Sequence, residues 1–133
     1  IFKKMKMKYL KELLMLVVAI LVLNVWLFRL NKETIYRGGD ALNMIEEFAE
    51  YGLNETMFYI IGALKVLSAT GLLVGFFYKK SIVPCASMMA ALMCGAIVMH
   101  FRVDDEAIKF LPAGLMLISS LMIVYLDRKT ISA

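Results

Sequence analysis

The chain has 133 residues, of which 62% are hydrophobic, and its mean hydropathy is +0.77. A soluble domain of this length cannot keep so much apolar surface out of water, so we predict a single integral membrane domain spanning residues 1–133. The net charge of +4 does not indicate nucleic-acid binding, because the lysines gather at the ends of apolar segments instead of along one groove.

Four apolar segments are long enough to cross a bilayer, which takes about 20 helical residues each. We predict an all-α bundle of four transmembrane helices, at residues 12–30, 57–78, 82–101 and 106–126. Residues 1–11 carry five lysines, but the apolar run that follows is longer than that of a signal peptide and no small-residue cleavage site comes after it. This pattern favours an uncleaved first helix.

Asn24 lies near the end of the first span. We expect its side chain to face other helices, because an amide exposed to lipid leaves hydrogen bonds unmade. Its role is either to join helices or to contact a ligand.

A short amphipathic helix is predicted at residues 40–51, between the first and second spans. The segment is too short and too acidic to span, so we expect it to lie at the membrane surface or to cover the outer mouth of the bundle. Its apolar face comprises Leu42, Ile45, Phe48 and Ala49, and its acidic face comprises Glu46, Glu47 and Glu50.

The second and third spans carry small residues that allow neighbouring helices to approach closely. Lys65 shares one face of the second span with small residues, so we expect that face to turn inward. Cys85 and Cys94 lie about 13 Å apart on one helix, too far for a disulfide between them, and the spacing predicts no metal site. The glycines predicted to pack helices are Gly62, Gly71, Gly75 and Gly95.

The fourth span is interrupted by Pro112. A helix that started there would be short for a membrane, so we predict a start near 106, with Asp104 as the N-cap and a kink at Pro112.

The distribution of positive charge predicts the orientation, because cytoplasmic loops carry more lysine and arginine. Nine such residues lie on the side of the two termini and five on the opposite side. We therefore expect both termini in the cytoplasm, in a bacterial inner membrane, and one outward-facing polar pocket at the opposite side. The residues expected to line it are Asn24, Lys65, His100 and Arg102, with counter-ions from Asp40, Glu46, Glu47, Asp104 or Asp105. The alternative is an ion-pair network that serves only the packing of the bundle.

Three stretches of the sequence resemble the DoxX-like family of small four-helix membrane proteins. They are the Lys65 region from Gly62 to Gly75, the run from Gly95 to Arg102, and Leu111-Pro112-Ala113. What the resemblance implies about function is limited: the member that gives the family its name is a subunit of a thiosulfate:quinone oxidoreductase, other members associate with redox complexes, and a more distant animal relative resembles a receptor-assembly chaperone. The resemblance does not transfer an activity by itself.

Two functions remain open from the sequence. The first is an accessory subunit or assembly partner of a larger membrane complex, with other subunits or a second copy as partners. The second is a quinone-associated component of a redox system, with a quinone or a lipid bound in the polar pocket. One histidine cannot supply bis-His haem ligation and no dithiol pair or nucleotide motif is present, so the sequence does not indicate a self-sufficient enzyme.

Overall fold

The computed structural model describes residues 2–132 of the chain. Every regular element in this range is helical, which confirms the predicted all-α fold. The five α-helices are α1 (Phe2–Phe28), α2 (Met44–Glu50), α3 (Glu55–Val74), α4 (Ile82–Arg102) and α5 (Leu111–Ser132), and 3-10 turns at Lys79–Ser81 and Ala107–Phe110 lead directly into α4 and α5.

Four helices, α1, α3, α4 and α5, are long and apolar enough to cross a membrane. The protein is therefore an integral membrane protein. α1 has 27 residues, a length of about 40 Å at 1.5 Å per residue, which exceeds the roughly 30 Å of a bilayer's hydrocarbon core. The helix begins at Phe2, ten residues before the span predicted from residue 12, so its lysine-rich first turns extend beyond the hydrocarbon.

The four long helices form a ring in which each one contacts two antiparallel neighbours, in the order α1, α3, α4, α5 and back to α1. The short connections from α3 to α4 and from α4 to α5 favour antiparallel neighbours. The centre of the ring is filled by fully buried apolar side chains from all four helices, including Met15, Leu72, Met89 and Ile123.

Glycines set how closely the helices approach one another. A Cβ atom at Gly62 would lie 2.6 Å from the ring of Trp26 on α1, and one at Gly71 would overlap the Sγ of Cys85 on α4. Gly75 approaches α4 in the same way, since a Cβ there would lie 2.6 Å from Cγ1 of Ile82. These contacts support the helix-packing role predicted for the three glycines.

α2 is a helix of seven residues, shorter than the predicted segment 40–51. Asn43 caps its N-terminus, where the side-chain oxygen accepts a hydrogen bond from the Glu46 N–H at 2.9 Å. The N–H of Met44 donates to the carbonyl of Leu30 at 2.8 Å. The capped helix is therefore tied to the chain just after α1.

The face that α2 turns inward differs from the predicted one. Phe48 and Glu47 are buried, whereas Leu42 and Ile45 are exposed. Glu47 therefore departs from the acidic face on which it was predicted, because the buried guanidinium of Arg37 pairs with it on the inner side.

The connection into α5 also differs from the prediction. Asp104 has a φ of 60° and does not cap a helix, because the residue before the 3-10 turn Ala107–Phe110 is Glu106. Pro112 is the second residue of α5, and its missing N–H needs no partner in a first helical turn. The predicted kink within a longer helix is therefore replaced by a change from 3-10 to α-helical geometry.

Candidate ligand-binding cavity

A cavity of about 620 Å³ lies between the helices on the side of the bundle that carries α2, which we call the α2 side. All four long helices, α2 and the loop before α2 contribute to its wall. Apolar side chains such as Ile61, Leu92 and Met116 make up most of this wall. The polar side chains that line it are Arg29, Thr34, Tyr36, Arg37, Glu47, Tyr51, Lys65, His100 and Lys109. Its volume and lining are typical of a small-molecule site.

The cavity lies on the α2 side because the helices are held together at the opposite side, where α1 begins and α5 ends. On that terminal side, Gly71 packs against Cys85 and thereby brings α3 and α4 into contact. The Nζ of Lys11 lies 3.0 Å from Oδ1 of Asp127, and this buried ion pair joins α1 to α5. The same helix pairs enclose the cavity on the α2 side.

Arg37 organises the loop at the mouth of the cavity. Its Nη2 donates to the carbonyl of Arg29 at 2.8 Å and to that of Lys32 at 3.1 Å, so it binds two backbone carbonyls just after α1. Its Nη1 lies 3.1 Å from Oε2 of Glu47. One buried guanidinium thus fixes the end of α1 and the position of α2.

Glu47 accepts two further hydrogen bonds at its other carboxylate oxygen. The N–H of Gly38 and the hydroxyl of Tyr51 donate to Oε1 at 2.9 Å and 2.7 Å. Burial, together with the nearby charge of Glu47, raises the pKa of Tyr51 far above its ordinary value. Tyr51 therefore stays a neutral phenol, able to donate a hydrogen bond, at physiological pH.

His100 joins the cavity to the turn between α4 and α5. Its Nδ1 lies 2.6 Å from Oδ2 of Asp105, whose Oδ1 accepts the N–H of Gly39 at 2.9 Å. Both ring nitrogens of His100 lie 3.5 Å from the hydroxyl of Tyr51. His100 therefore lies between the Asp105 carboxylate and the Tyr51 hydroxyl at the cavity wall.

Lys65 is half-buried in the wall formed by α3. Its Nζ lies 5.5 Å from the centroid of the Trp26 ring, and its charge interacts with that of Glu47. Glu47 belongs to the predicted counter-ions, but no carboxylate of residues 2–132 forms a direct ion pair with Lys65. Lys65, His100 and Glu47 thus share one cavity, with Asp105 behind His100.

Other predicted residues lie elsewhere. Asn24 is exposed on the outer face of α1, so the prediction that it faces the other helices is wrong. Arg102 is exposed near Gly52 and does not line the cavity. Nothing lies within 4 Å of a Cβ placed at Gly95, which lines the cavity, so its predicted packing role is also wrong. Three predicted counter-ions are exposed as well: Asp40, Glu46 and Asp104.

Several cavity residues were missed by the sequence reasoning, namely Trp26, Arg37, Tyr51 and Lys109. The spacing of four residues between Glu47 and Tyr51, and between Asp105 and Lys109, was the available signal, because such pairs share a helix face. Arg37 gave no signal of this kind, since its partners are brought to it by the loop. Among residues 2–132, no three His, Cys, Asp or Glu side chains are grouped to hold a metal ion.

Comparison with known proteins gave one match. The model of the DoxX-like family matches residues 36–122, about two thirds of the chain, and this range contains α2, α3, α4 and half of α5. No curated protein matches the chain, and no solved structure matches it either. The matched range holds Arg37, Glu47, Lys65 and His100, and leaves out the α1 part of the cavity. The chain belongs to the DoxX-like family.

Proposed function

We propose that this protein binds one amphipathic small molecule, a quinone or a membrane lipid, in the cavity on the α2 side. The observation that carries this proposal is the combination of a largely apolar wall with polar groups gathered at one end of the same cavity. Those groups come from Glu47, Tyr51, Lys65 and His100. An apolar body and a polar head are the chemical features that such a site recognises.

The rim of the cavity supports entry from the hydrocarbon. Leu21 of α1 and Leu115 of α5 line the cavity and are 45% and 52% exposed, and Met57 of α3 is 37% exposed. These apolar side chains border the spaces between neighbouring helices. A ligand dissolved in the bilayer therefore reaches the cavity without crossing water.

The polar end suits a quinone headgroup as one of the two ligands. Lys65 offers a hydrogen-bond donor to a ring carbonyl, and the ring of His100 offers a second polar contact. In a redox system the protein would hold and orient the quinone, and a partner protein would exchange electrons with it.

Trp26 provides a direct assay, because it lines the cavity and is the one tryptophan of the chain. The full chain in a neutral maltoside detergent is titrated with a short-chain benzoquinone and, separately, with a lysophospholipid, while tryptophan fluorescence is recorded. We expect at least one of the two ligands to change the fluorescence in a saturable way.

Two glycines supply a matched pair of variants. Gly95→Phe fills the cavity, because open space surrounds a side chain at this position, and should abolish saturable binding. Gly114→Phe adds the same bulk where space is also open but outside the cavity, and should bind as the wild type does. Equal binding by both variants, or no response to either ligand in the wild type, would contradict the proposal.

We also propose that the cavity faces the periplasm of a bacterial inner membrane and that both termini are cytoplasmic. The support is the charge count, which places more lysine and arginine on the terminal side. A membrane-impermeant maleimide applied to intact spheroplasts should label Asp40→Cys and spare Lys4→Cys, in a background where Cys85 and Cys94 are replaced by serine. The reverse labelling pattern would refute this orientation.

The position of Asn24 favours a second role, as an accessory subunit of a larger membrane complex. Its amide lies among exposed apolar residues of α1, such as Val17 and Leu27, where lipid offers it no hydrogen-bond partner. A helix of another subunit or of a second copy would satisfy it. Asn24→Leu should reduce the mass of the native complex isolated in mild detergent, whereas Tyr59→Leu, on the exposed side of α3, should not; an unchanged mass in both variants would end this proposal.

A further inference from the structure

Two cationic side chains line the cavity without a counter-ion. Lys65 is half-buried within α3, whereas Arg29 directly follows α1 and its side chain is exposed. Within residues 2–132, neither side chain makes a hydrogen bond or an ion pair. The Nζ of Lys65 lies 5.5 Å from the centroid of the Trp26 ring, which attracts a cation but does not neutralise it.

The carboxylate that acts on Lys65 already has its full set of partners. Glu47 interacts with the charge of Lys65 from a distance, but its own oxygens accept hydrogen bonds from Arg37, from the N–H of Gly38 and from the hydroxyl of Tyr51. Arg37, at 3.1 Å, is its ion-pair partner. The negative charge of Glu47 therefore neutralises mainly the charge of Arg37, its direct ion-pair partner, and not that of Lys65.

The remaining charges leave the wall of the cavity positive. Lys109 lies 3.8 Å from Asp105, so this pair is also matched. What is left over is the charge of Lys65 and of Arg29. The charged residues that line the cavity within the described range are Arg29, Arg37, Lys65 and Lys109, against one carboxylate, Glu47.

The ammonium group of Lys65 points toward the polar end of the cavity. Side chains on a helix lean toward its N-terminus, and the N-terminus of α3 lies on the α2 side, so the ammonium of Lys65 points to the polar end of the cavity. The contact with Trp26 and the interaction with Glu47 agree with this direction. An ammonium group in a mostly apolar wall is costly unless an opposite charge accompanies it.

We propose that the ligand of this cavity is an amphiphile with an anionic headgroup, a carboxylate or a phosphate. This inference rests on the ligand-binding function proposed above and specifies the chemical class of the ligand. The headgroup lies between Lys65 and Arg29, and the acyl chain lies against the apolar wall and leaves between the helices at the Leu21 and Leu115 rim. A neutral quinone would accept a hydrogen bond from Lys65 but would leave its charge uncompensated.

The test compares ligands that share one chain and differ in charge. Laurate, lauroyl lysophosphatidate and dodecanol are each titrated into the full-length protein in the same neutral maltoside, and the change in Trp26 fluorescence gives each dissociation constant. We expect at least one of the two anions to bind about 10- to 100-fold more tightly than dodecanol, the factor expected of a hydrogen bond to a charged group. Whether laurate or the lysophosphatidate binds more tightly identifies a fatty acid or a lipid phosphate as the source of the headgroup.

Variants then identify which side chains cause the preference for an anion. Lys65→Gln should lower the affinity for the preferred anion to about that for dodecanol. Lys65→Arg should keep the preference, and Lys32→Gln should keep it too, because Lys32 is exposed and does not line the cavity. Arg29→Gln provides a second measurement of anion affinity that does not depend on how well Lys65→Gln folds. It should also weaken binding of the anion.

Two results would overturn the assignment of an anionic ligand: equal affinities for the anions and dodecanol in the wild type, or an anion preference that survives in both Lys65→Gln and Arg29→Gln. In either case the cavity still binds an amphiphile, so the proposed function would stand. If neither the three single-chain probes nor the benzoquinone changes the fluorescence, the proposed function fails together with this inference.

Discussion

The ion pair between Lys11 and Asp127 offers a quantitative test of the bundle. The Nζ–Oδ1 distance is 3.0 Å, and the two side chains are only 3% and 2% exposed. The pair joins the start of the apolar part of α1 to the end of α5. Replacing Lys11 with Met removes the cation and leaves the buried carboxylate of Asp127 without it.

The expected loss in the free energy of unfolding follows from the burial of both side chains. Removing one partner of a buried pair typically costs about 3–5 kcal/mol, whereas replacing both partners with apolar side chains is neutral or stabilises by about 1–4 kcal/mol. We therefore expect Lys11→Met to lower the free energy of unfolding by about 3–5 kcal/mol. The double variant Lys11→Met/Asp127→Leu should regain that loss, because no charge is then left alone.

The measurement is reversible unfolding by SDS in mixed micelles, with helix content followed by circular dichroism. Lys8→Met serves as the control, because Lys8 is exposed on the same helix, and its effect should stay within about 0.5 kcal/mol. A loss below about 1 kcal/mol in Lys11→Met, or a double variant as unstable as the single one, would show that the pair does not hold α1 to α5.

Two further predictions concern packing and pH. Gly71→Ala should destabilise the protein by about 1–3 kcal/mol, because its new Cβ would overlap the Sγ of Cys85, whereas Gly95→Ala, with nothing within 4 Å, should cost nothing or stabilise by roughly 0.5–1 kcal/mol. SDS unfolding of both variants measures the difference, and equal losses would contradict the close approach of α3 and α4. The raised pKa of Tyr51 predicts a loss of stability at alkaline pH, because the unfolded phenol ionises near pH 10 while the folded one keeps its proton. The contribution is full below about pH 10 and falls by up to about 1.4 kcal/mol for each pH unit above it. Stability curves from pH 8 to pH 11 should fall more steeply in the wild type than in Tyr51→Phe, and parallel curves would refute this account.

The depth at which each side chain lies was predicted better than the direction in which it points. Lys65 was expected inside the bundle because it shares a helix face with small residues, and it does line the cavity. Asn24 was expected to turn inward because an amide exposed to lipid leaves hydrogen bonds unmade, and it is exposed. The rotation of α1 is set by Met15 and Trp26, which are larger and more apolar than the amide and take the inner positions.

The sequence alone did not predict which charged side chains pair with each other. Glu47 was placed on the acidic face of the amphipathic segment with Glu46 and Glu50, and was also one of five possible counter-ions of the polar pocket. Its burial depends on Arg37, ten residues earlier, which a loop turns back toward α2. Gly95 shows the same limit, since a glycine in an apolar run gives no sign of whether a helix or an open cavity faces it.

Hydropathy and length, read from the sequence alone, determined that the chain lies in a membrane and crosses it with four helices. Each segment must satisfy its own backbone hydrogen bonds in lipid, so this requirement is local and visible along the chain. Only the tertiary structure decided which charges meet and where the helices separate to leave a cavity. Those properties depend on how neighbouring helices rotate and pack against one another, and the contacts that fix them join residues as far apart as Lys11 and Asp127.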